Sequence, residues 1–219
     1  MRQLILDLLP ESPPTLDNFV PGGNIESLTA FTEWLAGARP DISFCLWGEN
    51  GSGCSHLLQA SGFTYIDAAL DPSLTTTTDE LQIAVDHVET LDDTGQIALF
   101  NYFNRLKMAG GMLLTAAPQP PAHLALREDL RTRLGSGLIY RLQPLSDAEK
   151  AAALAGQAKE RALKLTPESI DYLMRHAPRD MRTLSAFIEA LDRYTLEHKR
   201  AVTLPLLREL LTNPPEFTA

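Results

Sequence analysis

Apolar positions along the chain fall into two rhythms. Between about residues 42 and 142, short apolar runs alternate with stretches in which apolar residues recur every three or four positions. The short runs predict strands at about Ser43–Trp47, Phe63–Asp67, Leu81–Asp86, Met112–Thr115 and Leu138–Leu142. The spaced pattern predicts a helix from Asn24, as its cap, to about Ala36, with Ile25, Leu28, Phe31, Trp34 and Leu35 on one face. A short helix closed by Ser61-Gly62 follows the first strand. Asp93 with Gln96 three residues on marks a helix start, and Ile97, Leu99, Phe100, Phe103 and Leu106 give that helix its apolar face before Gly110-Gly111. Asp71 to Glu80 reads as a polar loop, and Leu126 to Leu134 as a short helix carrying Arg127, Arg131 and Arg133.

After Pro144 the strand rhythm stops. Ser146 with Glu149 forms a capping-box signature before an alanine-rich helix to about Leu163. Thr166-Pro167 opens a second helix to about His176. A third follows Pro178-Arg179, with Met181, Leu184, Phe187, Ile188 and Leu191 inward, and Thr203-Leu204-Pro205 opens a fourth to about Leu211. Alternating strand and helix argue for a parallel sheet covered on both faces. The predicted architecture is thus an α/β domain with a parallel five-stranded sheet over residues 16–144, then a small all-α domain over residues 145–219. Residues 1–15 stand apart as an N-terminal peptide and linker, marked by Pro10, Pro13 and Pro14.

One stretch carries chemistry. Gly48-Glu49-Asn50-Gly51-Ser52-Gly53-Cys54-Ser55 follows the first strand and opens a helix. It reads G-x-x-x-x-G-x-S, a phosphate-cradling loop in which Cys54 replaces the lysine. Gly48, Gly51 and Gly53 would let backbone N–H groups face a phosphate, and Ser55 offers a hydroxyl to a magnesium ion. An ordinary strand-to-helix turn has the same glycines. Asp86 ends the third predicted strand, where a carboxylate either holds such a magnesium or caps the next loop.

Charge sharpens the picture. The net charge of −9 splits unevenly: residues 1–100 hold two cations against 15 acids, and residues 101–219 hold 17 cations against 13 acids. Generic nucleic-acid binding by the first half is therefore disfavoured, and cations for any phosphate must come from the second half. Cys45 and Cys54 are too few for a disulfide framework, which fits a reducing cytoplasm. No apolar run approaches the ~18 residues of a membrane helix. The N-terminal stretch suits an extended peptide docking into a partner's groove, with Gln3 supplying hydrogen bonds and Leu6 and Leu8 filling pockets, or an edge strand on this protein's own sheet.

The glycine loop, the strand-end acid, the arginine-bearing helix before the last strand and Arg179-Asp180-Met181-Arg182-Thr183-Leu184 occur in one order. That order resembles the AAA+ ATPases of the DnaA group, and within it the short Hda-type regulators. Gln3 to Leu8, Pro21-Gly22-Gly23-Asn24, Leu46 to Leu58, Tyr140 to Asp147 and Met181 to Leu184 carry the likeness, which covers nearly the whole chain. The resemblance implies an AAA+ sheet with a helical lid. It implies that Gln3, Leu4, Leu6 and Leu8 bind the DNA polymerase sliding clamp, and with it DNA indirectly, and that the chain promotes hydrolysis of ATP held by DnaA. Arg133 stands where an arginine reaches the partner's nucleotide in trans, with Arg131 as the alternate, and Arg182 matches the sensor that reaches a bound nucleotide. Loop positions Gly48, Gly51, Gly53, Cys54, Ser55 and His56, with Asp86 and Arg182, would hold ADP, and a magnesium ion would sit on Ser55 and Asp86 only with nucleotide. Cys54, His87 in place of a second strand-end acid, and Ala116-Ala117 at the first sensor imply weak or absent ATP hydrolysis by the chain alone. A self-sufficient helicase-loader-type ATPase and a nucleotide-free AAA+ scaffold are the alternatives, and the family admits a homo-oligomer.

Overall fold

The structure is a computed structural model, and it describes residues 13–76 and 78–212. Gln3, Leu4, Leu6 and Leu8 lie outside the described residues. The chain divides between Pro144 and Leu145 into two compact units.

The first unit is built on five strands: β1 (Ser43–Trp47), β2 (Thr64–Asp67), β3 (Gln82–Asp86), β4 (Met112–Ala117) and β5 (Leu138–Arg141). Their order is β2-β3-β4-β1-β5, and every pairing is parallel. Parallel neighbours need crossover connections, and the helices α1 (Ile25–Leu35), α2 (Cys54–Ala60), α3 (Asp93–Ala109) and α4 (Glu128–Leu134) flank them in sequence. Alternation along the strands sends side chains to two separate cores. Phe44, Leu46, Ala84 and Leu114 pack with Phe31, Trp34, Leu57 and Leu58 of α1 and α2. Ile83, Val85 and Leu113 pack with Leu99, Phe103 and Leu106 of α3 and Leu130 and Leu134 of α4. Burial on both faces explains why the strands read as continuous apolar runs. From β1 the chain crosses to the far edge, returns through β3 and β4 to β1's side, and ends with β5 on its other side. The glycine loop therefore leaves β1 at the switch point of the sheet, where open α/β sheets place ligands.

Three details at helix starts differ from the sequence reading. Asn24 stands at the N-cap position of α1, but its side chain makes no capping bond there. Its side chain donates to the Gln143 carbonyl at 2.9 Å and accepts the Gln143 N–H at 2.7 Å, tying the start of α1 to the exit of β5. Helix α3 is capped by Asp92, which accepts the Gly95 N–H, while Gln96 donates to the Leu91 carbonyl and accepts the Arg127 N–H. That bond holds Arg127 in an extended conformation, so α4 begins at Glu128 and Arg127 is its flanking residue.

The second unit holds α5 (Asp147–Glu160), α6 (Pro167–His176), α7 (Met181–His198) and α8 (Leu204–Thr212). Ser146 and Glu149 form the complete capping box, Thr166 caps α6, and Asp180 caps α7. Leu154, Leu173, Leu184, Phe187, Ile188, Leu191, Leu206 and Leu207 form its core. Among the described residues, no helix is long and apolar enough to cross a membrane.

Candidate functional site

The glycine loop has left-handed backbone at two of its glycines. Gly51 and Gly53 adopt φ of +82° and +98°, which an L side chain resists. The Ser52 N–H closes a turn on the Glu49 carbonyl at 3.0 Å, and the Gly48 N–H is held by the Ala117 carbonyl at the end of β4. Ser52 is buried, and its hydroxyl lies 3.4 Å from the Cys54 sulfur. Burial pushes the Cys54 thiol up to about 11; the Ser52 hydrogen bond opposes this and the negative charge of Asp86 adds to it. At neutral pH the position of the usual lysine thus holds an uncharged thiol. Ser55, half-buried, is the second residue of α2. His56, one residue on, donates from Nε2 to the Thr15 carbonyl at 2.9 Å.

Asp86 is buried at the end of β3, with two neutral donors. Its Oδ1 accepts the His87 N–H at 3.0 Å, and its Oδ2 accepts the Tyr65 hydroxyl at 2.9 Å. His87 has a left-handed backbone, φ +53°, and its Nδ1 lies 2.9 Å from Asp67 Oδ1. Partial burial works against a charged ring. The Asp67 hydrogen bond and the negative potential of Asp86, Asp67 and Glu89 outweigh it, and the His87 pKa is raised. Glu89 is also raised, first by burial. Among the described residues, no group of three His, Cys, Asp or Glu is arranged to hold a metal ion.

The arginines of α4 are not equivalent. Arg133 is half-buried, its guanidinium carbon 5.7 Å from the ring centroids of both Phe100 and Phe103 on α3. Arg131 lies two residues earlier in the same last turn, so the two side chains leave opposite sides of the helix. Arg127 forms a two-pronged pair with Asp129, at 3.2 and 3.0 Å. Arg182 is exposed on the first turn of α7.

Residues 147–211 match the family model of the Hda lid domain. The fold is similar to domain III of the replication initiation protein DnaA from Thermotoga maritima, with TM-score 0.68 and 22% identity over 94% of this chain and 100% of that one. It is similar to AMPPCP-bound DnaA from Aquifex aeolicus, with TM-score 0.65 and 25% identity over 85% of this chain and 68% of that one. Residues 147–211 thus form a lid of the Hda type, and the chain has an AAA+ fold like that of DnaA. The Holliday junction branch migration motor RuvB of Thermotoga maritima shares only the fold, with TM-score 0.62 and 14% identity over 94% of this chain and 72% of that one.

In this AAA+ frame, the side chains around the loop do not fit a magnesium triphosphate. Cys54 is neutral, and the end of β4 is Ala116-Ala117. A cation that does reach the loop is Arg141 of β5. It lies 5.1 Å from the Trp47 ring centroid and 3.8 Å from the Glu49 carboxylate. Sequence reasoning missed Tyr65 and Arg141. Alternation along Thr64–Asp67 put Tyr65 on a face, but only the sheet order brings that face to Asp86.

Proposed function

We propose that this AAA+ protein is a negative regulator of replication initiation. In this reading it binds the DNA polymerase sliding clamp through Gln3, Leu4, Leu6 and Leu8 and promotes hydrolysis of ATP held by DnaA. The observation that carries the reading is the Hda-type lid over residues 147–211, joined to a glycine loop whose lysine position is a neutral thiol. A chain of this kind is suited to act on a partner's nucleotide better than on its own. Its own loop would hold ADP through loop amides, Ser55 and Arg182, with little or no turnover.

Arg133 supplies the catalytic charge in trans. An arginine finger stabilises charge on the transferring phosphate and is worth about 10³–10⁵ in rate. Lifting Arg133 off Phe100 and Phe103 forfeits cation–π contacts of about 0.5–1 kcal/mol each at exposed sites. That loss is small beside the rate gain, so the packed position suits a finger held ready at modest cost.

The test is immobilised sliding clamp titrated with wild type and Gln3→Ala, followed by DnaA-bound ATP hydrolysis with wild type and Arg133→Ala. Gln3→Ala should abolish clamp binding with the fold intact, and Arg133→Ala should bind the clamp without stimulating hydrolysis. Undiminished clamp binding by Gln3→Ala would sink the peptide assignment, and stimulation surviving in Arg133→Ala would move the finger to Arg131. Turnover by the purified chain alone would replace the reading with a self-sufficient ATPase.

A further inference from the structure

The parallel sheet decides which cations of the α/β unit stand near the glycine loop. The loop leaves the C-terminal end of β1, and all five strands point the same way. A helix that leads into a strand of such a sheet ends near that strand's N-terminal edge, opposite the loop. Lys107 in the last turn of α3, and Arg131 and Arg133 in that of α4, therefore stand at the far edge. Arg39, between α1 and β1, is there too and is paired with Glu33 at 2.7 Å. Arg105 donates to the carbonyls of Thr78, Asp79 and Glu80, just before β3. Arg127, ahead of α4, is at the near edge, but Asp129 engages it with both carboxylate oxygens. Arg141 ends β5 at the near edge, beside the loop.

The backbone of Arg141 is fixed there. It is in register with Trp47, the residue before Gly48, and the Leu142 N–H donates to the Trp47 carbonyl at 2.8 Å. Ser27 Oγ of α1 donates to the Arg141 carbonyl at 3.0 Å. Gly48 lies so close to this strand end that a Cβ on it would overlap the Leu142 carbonyl oxygen. The Arg141 side chain, in contrast, is loosely held. It is exposed, its guanidinium rests against the Trp47 ring, and Glu49 of the loop is 3.8 Å away, beyond hydrogen-bond reach. An ion pair at that exposure holds weakly, so the guanidinium donors stay available to an anion.

We propose that Arg141 supplies the positive charge that Cys54 does not: it leaves Glu49 and Trp47 to hold the terminal phosphate of a nucleoside diphosphate on the glycine loop. This role rests on the reading above that the loop holds ADP. It moves the phosphate-binding cation from the first turn of α2 to the end of the neighbouring strand. The planar fork of a guanidinium matches phosphate oxygens with two parallel hydrogen bonds, which a thiol cannot do. Glu49 competes with the phosphate for the same donors.

Calorimetric titration of the full-length chain with ADP and AMP tests this, for wild type, Arg141→Ala, Arg141→Lys, Glu49→Gln and Cys54→Lys, each checked for native circular dichroism. ADP and AMP differ by the terminal phosphate, so their affinity ratio reports contacts to it. Wild type should favour ADP. Arg141→Ala should weaken ADP by about 10- to 100-fold and leave AMP nearly unchanged, as expected for losing hydrogen bonds to a charged group. Arg141→Lys should restore part of the preference, and Glu49→Gln should tighten ADP. In a Cys54→Lys background Arg141→Ala should cost several-fold less, because the lysine takes over the charge. An ADP preference that survives Arg141→Ala overturns the role of Arg141 and leaves the ADP reading standing. Equal cost in both backgrounds overturns the exchange of the lysine for Arg141. No binding of ADP by wild type overturns the ADP reading and this role with it.

Discussion

Gly53→Ala is the substitution whose cost can be worked from the structure. Two penalties coincide there. An alanine at φ +98° sits in a conformation that L residues resist, at about 1–2 kcal/mol. Its Cβ also meets Phe19 Cε2 at 2.7 Å, and overpacking of that kind costs about 1–3 kcal/mol. Gly51 separates the two, because it shares the positive φ, +82°, but nothing lies within 4 Å of its added Cβ. Gly51→Ala should therefore lose about 1–2 kcal/mol and Gly53→Ala about 2–5 kcal/mol. In a domain of this size that separates the midpoints of thermal unfolding by several degrees, at about 2–8 °C per kcal/mol. The assay is tryptophan fluorescence during urea and thermal unfolding. Trp34 and Trp47 are the chain's two tryptophans and both belong to the α/β unit, so the signal reports that unit alone. In a Phe19→Ala background the excess cost of Gly53→Ala should vanish, because the clash partner is gone. Equal losses in Gly51→Ala and Gly53→Ala would refute the Phe19 contact, as would an excess that survives Phe19→Ala.

Asn24→Ala removes a buried amide and its two hydrogen bonds to the backbone of Gln143, an exposed residue whose freed groups water can reach. The expected loss is about 1–3 kcal/mol in the same fluorescence assay, against a few tenths for an exposed alanine replacement. The His87 pKa is raised in the folded state, so its contribution to stability is complete below the unfolded value of about 6.5 and is lost as pH rises through the folded value. The urea midpoint of wild type should then fall as pH rises above about 6.5. His87→Gln should flatten that slope, and a slope unchanged by the substitution would show that another group titrates there.

The sequence by itself determined the elements and their division. Periodicity placed all five strands and both groups of helices, because strand burial and helical faces leave repeating marks within a few residues. It also located the glycine loop, whose positive-φ positions fall on Gly51 and Gly53, and the Ser146–Glu149 capping box, which closes over three residues. Tertiary structure decided the partners of polar side chains that reach beyond their own element. Asn24 reads as a helix cap, yet it is engaged by a backbone 119 residues away. The sequence puts three arginines on one short helix, yet Gln96 holds Arg127 outside it and the rings of α3 take Arg133. Tyr65 and Asp86 meet only because β2 pairs with β3. The physical reason is the same in each case. A local pattern fixes which face a residue takes, whereas a buried polar group goes to whichever donor or acceptor the packed chain delivers to that face, since leaving it unpaired is costly.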